Sequence, residues 1–192
     1  MKPALALLEF SSIAAGIVAG DAMVKRATLA VTDAGTAHPG KYLVLVAGEV
    51  GEVAEALEAG KAAGGSALTD VVFLPDVHPA LVEALKGGRQ AGKAESLGIV
   101  ETTTVAAVIE AADAGLKGAA VSLLELRLAD GLGGKGYLLF GGPLSEVEAA
   151  VEIAASRVPA ALIGAEVIAQ LHPEMGDNLW AESRFRKRIQ EH

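Results

Sequence analysis

The sequence repeats itself. Residues 4 to 28 align without gaps with residues 96 to 120 at an offset of 92, and ten of those 25 positions are identical. Alanine, present 38 times in the chain, inflates such a match, so its weight rests on five other identities: Leu5/Leu97, Glu9/Glu101, Ile17/Ile109, Asp21/Asp113 and Lys25/Lys117. A second block aligns at an offset of 94, pairing Gly40-Lys41 with Gly134-Lys135, Gly48 with Gly142, Glu52-Val53 with Glu146-Val147, and His78-Pro79 with His172-Pro173. The change of offset puts a two-residue length difference in the loop between the blocks. A duplication of this length restricts the chain to folds built from two like units in tandem. The 192 residues divide into a first domain over 1–88, a second over 94–175 and a C-terminal extension over 176–192, joined through the flexible stretch Gly87-Gly88-Arg89-Gln90-Ala91-Gly92-Lys93.

Each unit reads in the same order. In the second, Leu97 to Glu101 is a strand, and Thr103 or Thr104 can cap a helix whose apolar positions Val105, Val108, Ile109, Ala112 and Leu116 follow the helical period. Lys117 falls in its last turn, where a cation suits the helix dipole. Ala120 to Leu128 and Gly136 to Gly142 are strands joined by a Gly-rich turn, Pro143 opens a helix to about Arg157, and Ala160 to Ile168 is a last strand. In the first unit the equivalent turn reads as Asp33 to Gly40. The order β-α-β-β-α-β is that of α+β, ferredoxin-like (split βαβ) domains.

Composition removes several functions. A net charge of -8 opposes nucleic acid as a partner, because phosphate binding needs basic surface. Zero cysteine removes disulfides, thiolate nucleophiles and Cys-ligated zinc or iron-sulfur clusters. Phe10 to Gly20, the longest uncharged stretch, falls well short of the roughly 20 apolar residues of a membrane span. Glu9 interrupts the N-terminal apolar run too early for a signal peptide, so the expectation is a soluble cytoplasmic protein. Gly131-Leu132-Gly133-Gly134-Lys135-Gly136 matches G-x-G-x-x-G, but the residues after it read as a strand, not the helix a dinucleotide pyrophosphate requires.

The repeat, the element order and the segments Gly98-Ile99-Val100-Glu101-Thr102, Glu110-Ala111-Ala112-Asp113-Ala114-Gly115-Leu116-Lys117 and Gly133-Gly134-Lys135 resemble bacterial microcompartment shell proteins with two tandem shell (BMC) domains. The likeness is to the trimeric subgroup typified by the propanediol-utilisation tandem shell protein, and it spans about residues 4 to 175. It implies no catalysis. It implies a homotrimer whose six domains form a pseudohexamer, packing edge to edge with other shell proteins around encapsulated enzymes, with a central pore that passes small polar metabolites. The 38 alanines and 23 glycines suit closely approaching faces in such a tile.

The same resemblance places the two β-β turns at the symmetry axis, so Gly35, Thr36, Ala37 and His38 of the first and Asp130, Gly131, Leu132 and Gly133 of the second are the expected pore lining. In some relatives a cysteine stands just before Pro-Gly-Lys in the first turn, and three of these hold an iron-sulfur cluster. Here that position is His38. Three His38 imidazoles could bind a metal ion with one open position, as a metal-binding pore or an electron-conduit variant, or act as a charge gate; otherwise His38 gives the pore only size and polarity, or points away from the axis. Lys25 and Lys117 correspond to the family's tile-edge lysine. Its usual partner arginine is absent, Asp76 and Gln170 standing in that region. His78 and His172, each before a proline, read as turn residues rather than ligands. Residues 180 to 192 carry Trp180, Phe185 and Ile189 near helical spacing and a net charge of +2, an amphipathic tail that could dock on a partner or on the acidic body of its own trimer. A ligand-binding regulatory trimer of ferredoxin-like domains is the rival reading. An enzyme is the weakest, its only route being a site made by threefold repetition of His38.

Overall fold

A computed structural model describes residues 3–87 and 94–181. The first copy contains β1 (Ala4–Phe10), α1 (Ile13–Arg26), β2 (Val31–Ala37), β3 (Lys41–Gly48), α2 (Val50–Gly64), β4 (Leu68–Leu74) and α3 (Pro79–Leu85). The second contains β5 (Ser96–Thr102), α4 (Val105–Gly118), β6 (Ser122–Leu128), β7 (Gly136–Gly142), α5 (Leu144–Arg157), β8 (Leu162–Ile168) and α6 (Pro173–Trp180). Each forms one four-stranded antiparallel sheet, in the orders β2-β3-β1-β4 and β6-β7-β5-β8. With the helix pair α1/α2 or α4/α5 on the sheet, this is the expected α+β, split βαβ arrangement.

Equivalent residues do equivalent local work. Ser12 caps α1 by accepting from the Ala15 amide at 3.3 Å, and Thr104 caps α4 by accepting from Ala107 at the same distance, so Thr104 rather than Thr103 is the cap. The small residues allow close packing. A Cβ built on Gly115 of α4 would stand 2.5 Å from the ring of Phe140, a fully buried side chain with nowhere to go.

The turns differ from the sequence expectation in one respect. Gly35, Thr36 and Ala37, read as turn, belong to β2, whose pairing runs through Thr36↔Tyr42 to Ala37↔Lys41 and leaves only His38-Pro39-Gly40 as the turn. Asp, Gly and Thr resemble turn composition, but a strand's extent is decided by what its partner offers, here the whole of β3. In the second copy the Ala129 amide bonds to the Lys135 carbonyl at 3.0 Å, so five residues, 130 to 134, stand where the first copy has three. That is the two-residue difference the offsets require, and it makes His38 and Asp130 counterparts. Gly131, Gly133 and Gly134 have φ of 74°, 65° and 87°, left-handed values that explain the glycine richness of this turn.

The helices α3 and α6 extend the repeat further than the sequence reading did. Both follow a His-Pro pair at the 94-residue offset, with proline at the first turn. His78 caps α3 as its Nδ1 accepts from the Ala80 amide at 3.2 Å, a structural role. Residues 174 to 180, read as an addition to the repeat, are therefore the counterpart of α3. The join at 88–93 and the tail residues Phe185 and Ile189 lie outside the described residues.

Candidate functional site

The two copies are fused along a continuous apolar core. Val105, Ile109 and Leu116 of α4 share one buried cluster with Leu5, Leu7, Val72, Leu74, Val77 and Leu81 of the first copy. Polar bonds then fix the register of this joint. Glu9, on β1 and fully buried, receives Lys41 Nζ on Oε1 and the Val105 amide on Oε2, the latter at 2.8 Å. The Thr104 hydroxyl donates to Asp70, and Asp113 Oδ1 accepts the His78 amide at 2.8 Å. At the far end Lys117 Nζ pairs with Asp113 Oδ2 at 2.5 Å and donates to the Asp76 carbonyl. Burying charges at such a joint is tolerable only because each is paired and hydrogen-bonded.

The joint brings the two turns together. The His38 amide donates to Asp130 Oδ1 at 3.2 Å, and Lys41 Nζ lies 3.3 Å from the Gly134 carbonyl. Gly134 is pressed against Lys41 and Pro39, a Cβ there coming within 3.0 Å of both. Of the residues expected to line an opening, Thr36, His38, Asp130, Gly131 and Gly133 are exposed, Gly35 and Leu132 are half-buried, and Ala37 is buried. Ala37 is thereby removed as a lining residue. Its burial follows from its place in the strand, where its side chain meets the joint core. The glycines 131 to 136 lead into β7, so no helix is available to receive a pyrophosphate.

The other candidates separate. Lys117 is engaged across the joint, whereas among the described residues Lys25 pairs only with Asp21 of its own helix, at 2.5 Å, and both are exposed. Among the described residues no three His, Cys, Asp or Glu side chains gather to hold one cation. Sequence reasoning did not identify Glu9, Lys41, Asp113 or the Thr104–Asp70 pair as joint residues. The signal available for Glu9 and Asp113 was their identity with Glu101 and Asp21 in a repeat otherwise dominated by alanine.

The BMC-domain family profile matches residues 4–77 and again residues 96–171. The chain is 37% identical over 182 residues to the bacterial microcompartment shell protein PduT of Citrobacter freundii, covering 95% of this chain and 98% of that protein. Its fold is similar to that of a microcompartments protein from Desulfitobacterium hafniense, with a TM-score of 0.80, 34% identity, and coverage of 92% of this chain and 99% of the other. The fused permuted hexameric shell protein of the RMM microcompartment shares the fold at a TM-score of 0.61 and 20% identity, over 82% of this chain and 84% of that one. No helix among the described residues is long and apolar enough to cross a membrane. With two BMC domains in tandem, the chain belongs to the bacterial microcompartment shell proteins, a family of structural rather than catalytic components.

Proposed function

We propose that the chain forms a homotrimeric tile of the shell, with its turns around a central opening that passes small polar metabolites. The observation that carries this is an unmatched pair of faces. On α1, Ile13, Ile17 and Val24 are 41%, 53% and 46% exposed, whereas their counterparts Val105, Ile109 and Leu116 on α4 are 0%, 0% and 7% exposed beneath the first copy. The covering surface is duplicated too. Leu81 of α3 is 0% exposed against α4, while its counterpart Met175 of α6 is 53% exposed, with Ile168 of β8 beside it in the sequence pattern where Leu74 stands in β4. A chain with an open helix face at one end and an open covering face at the other associates head to tail, and such contacts either close into a ring or grow into a filament. Six domains in a ring, the arrangement implied by the family resemblance, take three chains.

The direction of α4 assigns the two ends of the joint. Its N-terminus stands beside Glu9, Lys41 and the turns, and its 14 residues carry Lys117 about 20 Å away. In a ring with the turns at the axis, Lys117 and its counterpart Lys25 stand toward the rim, where tiles meet other shell proteins. The opening is then lined by His38, Asp130, Gly131, Leu132 and Gly133, with Thr36 behind them.

Substituting His38→Trp tests the opening. The trimer mass and co-assembly with single-domain shell tiles are expected to be unchanged, while metabolite efflux from assembled shells falls severalfold. Unchanged efflux would take His38 off the path. Failure of the wild type to enter shell sheets at all, with tight binding of an effector, would favour a regulatory trimer instead. A cation held by three His38 imidazoles is read separately: metal content is expected to be equal in the wild type and His38→Ala, and a stoichiometric excess in the wild type would establish the cation.

A further inference from the structure

Within the chain, Glu9 and Asp113 share a device. Each carboxylate has one oxygen bound to a lysine, Lys41 for Glu9 and Lys117 for Asp113, which leaves the other to accept a backbone amide across the joint. Those amides are Val105, the first residue of α4, and His78, the residue before α3. Their counterparts have the first half of the device and lack the second. Glu101 Oε1 is held by Lys135 at 2.9 Å, and Asp21 Oδ2 by Lys25 at 2.5 Å. Among the described residues neither Glu101 Oε2 nor Asp21 Oδ1 receives a hydrogen bond, and the Glu101 side chain is 38% exposed where that of Glu9 is 0% exposed.

The amides that match are present on the opposite faces. Ile13 is the first residue of α1, as Val105 is of α4, and an N–H at that position has no acceptor inside its own helix. His172 precedes α6 as His78 precedes α3. We infer that Glu101 and Asp21 are the two acceptors that lock the subunit joint, Glu101 taking the Ile13 amide of a second copy while that copy's Asp21 takes the His172 amide in return. This rests on the trimeric reading above. The two bonds sit at opposite ends of α1, so together they fix its register along β8 and α6 of the neighbour, as Glu9 and Asp113 fix α4 within the chain. The bond to the remaining carboxylate of the intrachain joint is not reproduced, because Gly164 stands where Asp70 accepts from Thr104. The subunit joint therefore depends more heavily on its two remaining carboxylates.

The test is sedimentation equilibrium of the full chain over a range of concentrations. Glu101→Ala and Asp21→Ala are each expected to weaken association about 10- to 100-fold per joint, the range for losing a hydrogen bond to a charged group. Glu58→Ala, which removes an exposed acid from a different helix, is expected to leave it unchanged. Ile13→Pro deletes the amide at a helical position that tolerates proline, after a Ser12 already extended at φ -123° and ψ 123°. It is expected to weaken association, and the Glu101→Ala/Ile13→Pro double variant to be little weaker than the worse single one. Association as tight as wild type in Glu101→Ala and Asp21→Ala, or full additivity in the double variant, overturns the inference while leaving the trimer standing. A wild type that stays monomeric at every concentration overturns both. Should one alanine variant fail to fold, shown by circular dichroism, the other and Ile13→Pro still decide.

Discussion

Ile17→Asp is expected to produce a folded chain that no longer associates. In the single chain Ile17 is 53% exposed, so a carboxylate there meets water and the monomer's thermal unfolding changes little. In the proposed ring the same carboxylate would be buried against β8 and α6 of a neighbour, neither of which carries a cation, a cost of several kcal/mol at each joint. Association should fall by more than 100-fold. The matching change in the second copy, Ile109→Asp, has the opposite signature. Ile109 is covered by the first copy of its own chain, so the damage appears as loss of the chain's own stability. Sedimentation and thermal unfolding of the two variants side by side separate a face that waits for a neighbour from one that already has it.

Glu9→Ala is expected to destabilise the chain itself by about 3 kcal/mol. The substitution leaves Lys41 without its partner and the Val105 amide without an acceptor, and breaking a buried pair typically costs 3–5 kcal/mol. The lower end applies because the Lys41 side chain is 21% exposed and recovers part of its hydration. Glu101→Ala, its counterpart, removes a partly exposed pair and should cost the isolated chain under about 1 kcal/mol. Chemical denaturation of both variants at concentrations where the chain is monomeric reads the contrast. Equal losses would mean that the two carboxylates do the same work, and that Glu101 has no vacant role.

Most of the architecture was legible before any coordinates, because a repeat states each element twice. The shift from 92 to 94 predicted a two-residue difference between the blocks, and it lies between Ala129 and Lys135, bracketing five residues where Ala37 and Lys41 bracket three. The pattern failed where structure depends on a partner strand. Asp33 to Ala37 carry turn-like residues, yet they pair with Lys41 to Leu45 throughout. It failed again where an element is short: α3 and α6 span seven and eight residues, too few for a helical period to stand out, although His78-Pro79 and His172-Pro173 marked their starts.

The joint was less legible for a different reason. Glu9 and Val105 are 96 residues apart, and Asp113 and His78 are 35 apart, so nothing local relates them. What the sequence did carry was the identity of Glu9 with Glu101 and of Asp21 with Asp113. Those identities acquire a meaning once one member of each pair is seen holding an amide across the joint and the other is seen holding none. Of the residues expected at the opening, Ala37 is set apart by its strand position, which turns its side chain into the joint core, whereas Thr36 and His38 on either side of it are exposed.

The native mass of the wild-type chain tests the account most directly. Three chains of 19.4 kDa predict a species of about 58 kDa that persists on dilution until the joints open. A monomer or a dimer as the largest species would contradict it, because neither covers the open face of α1 with the open face of α6 all the way around.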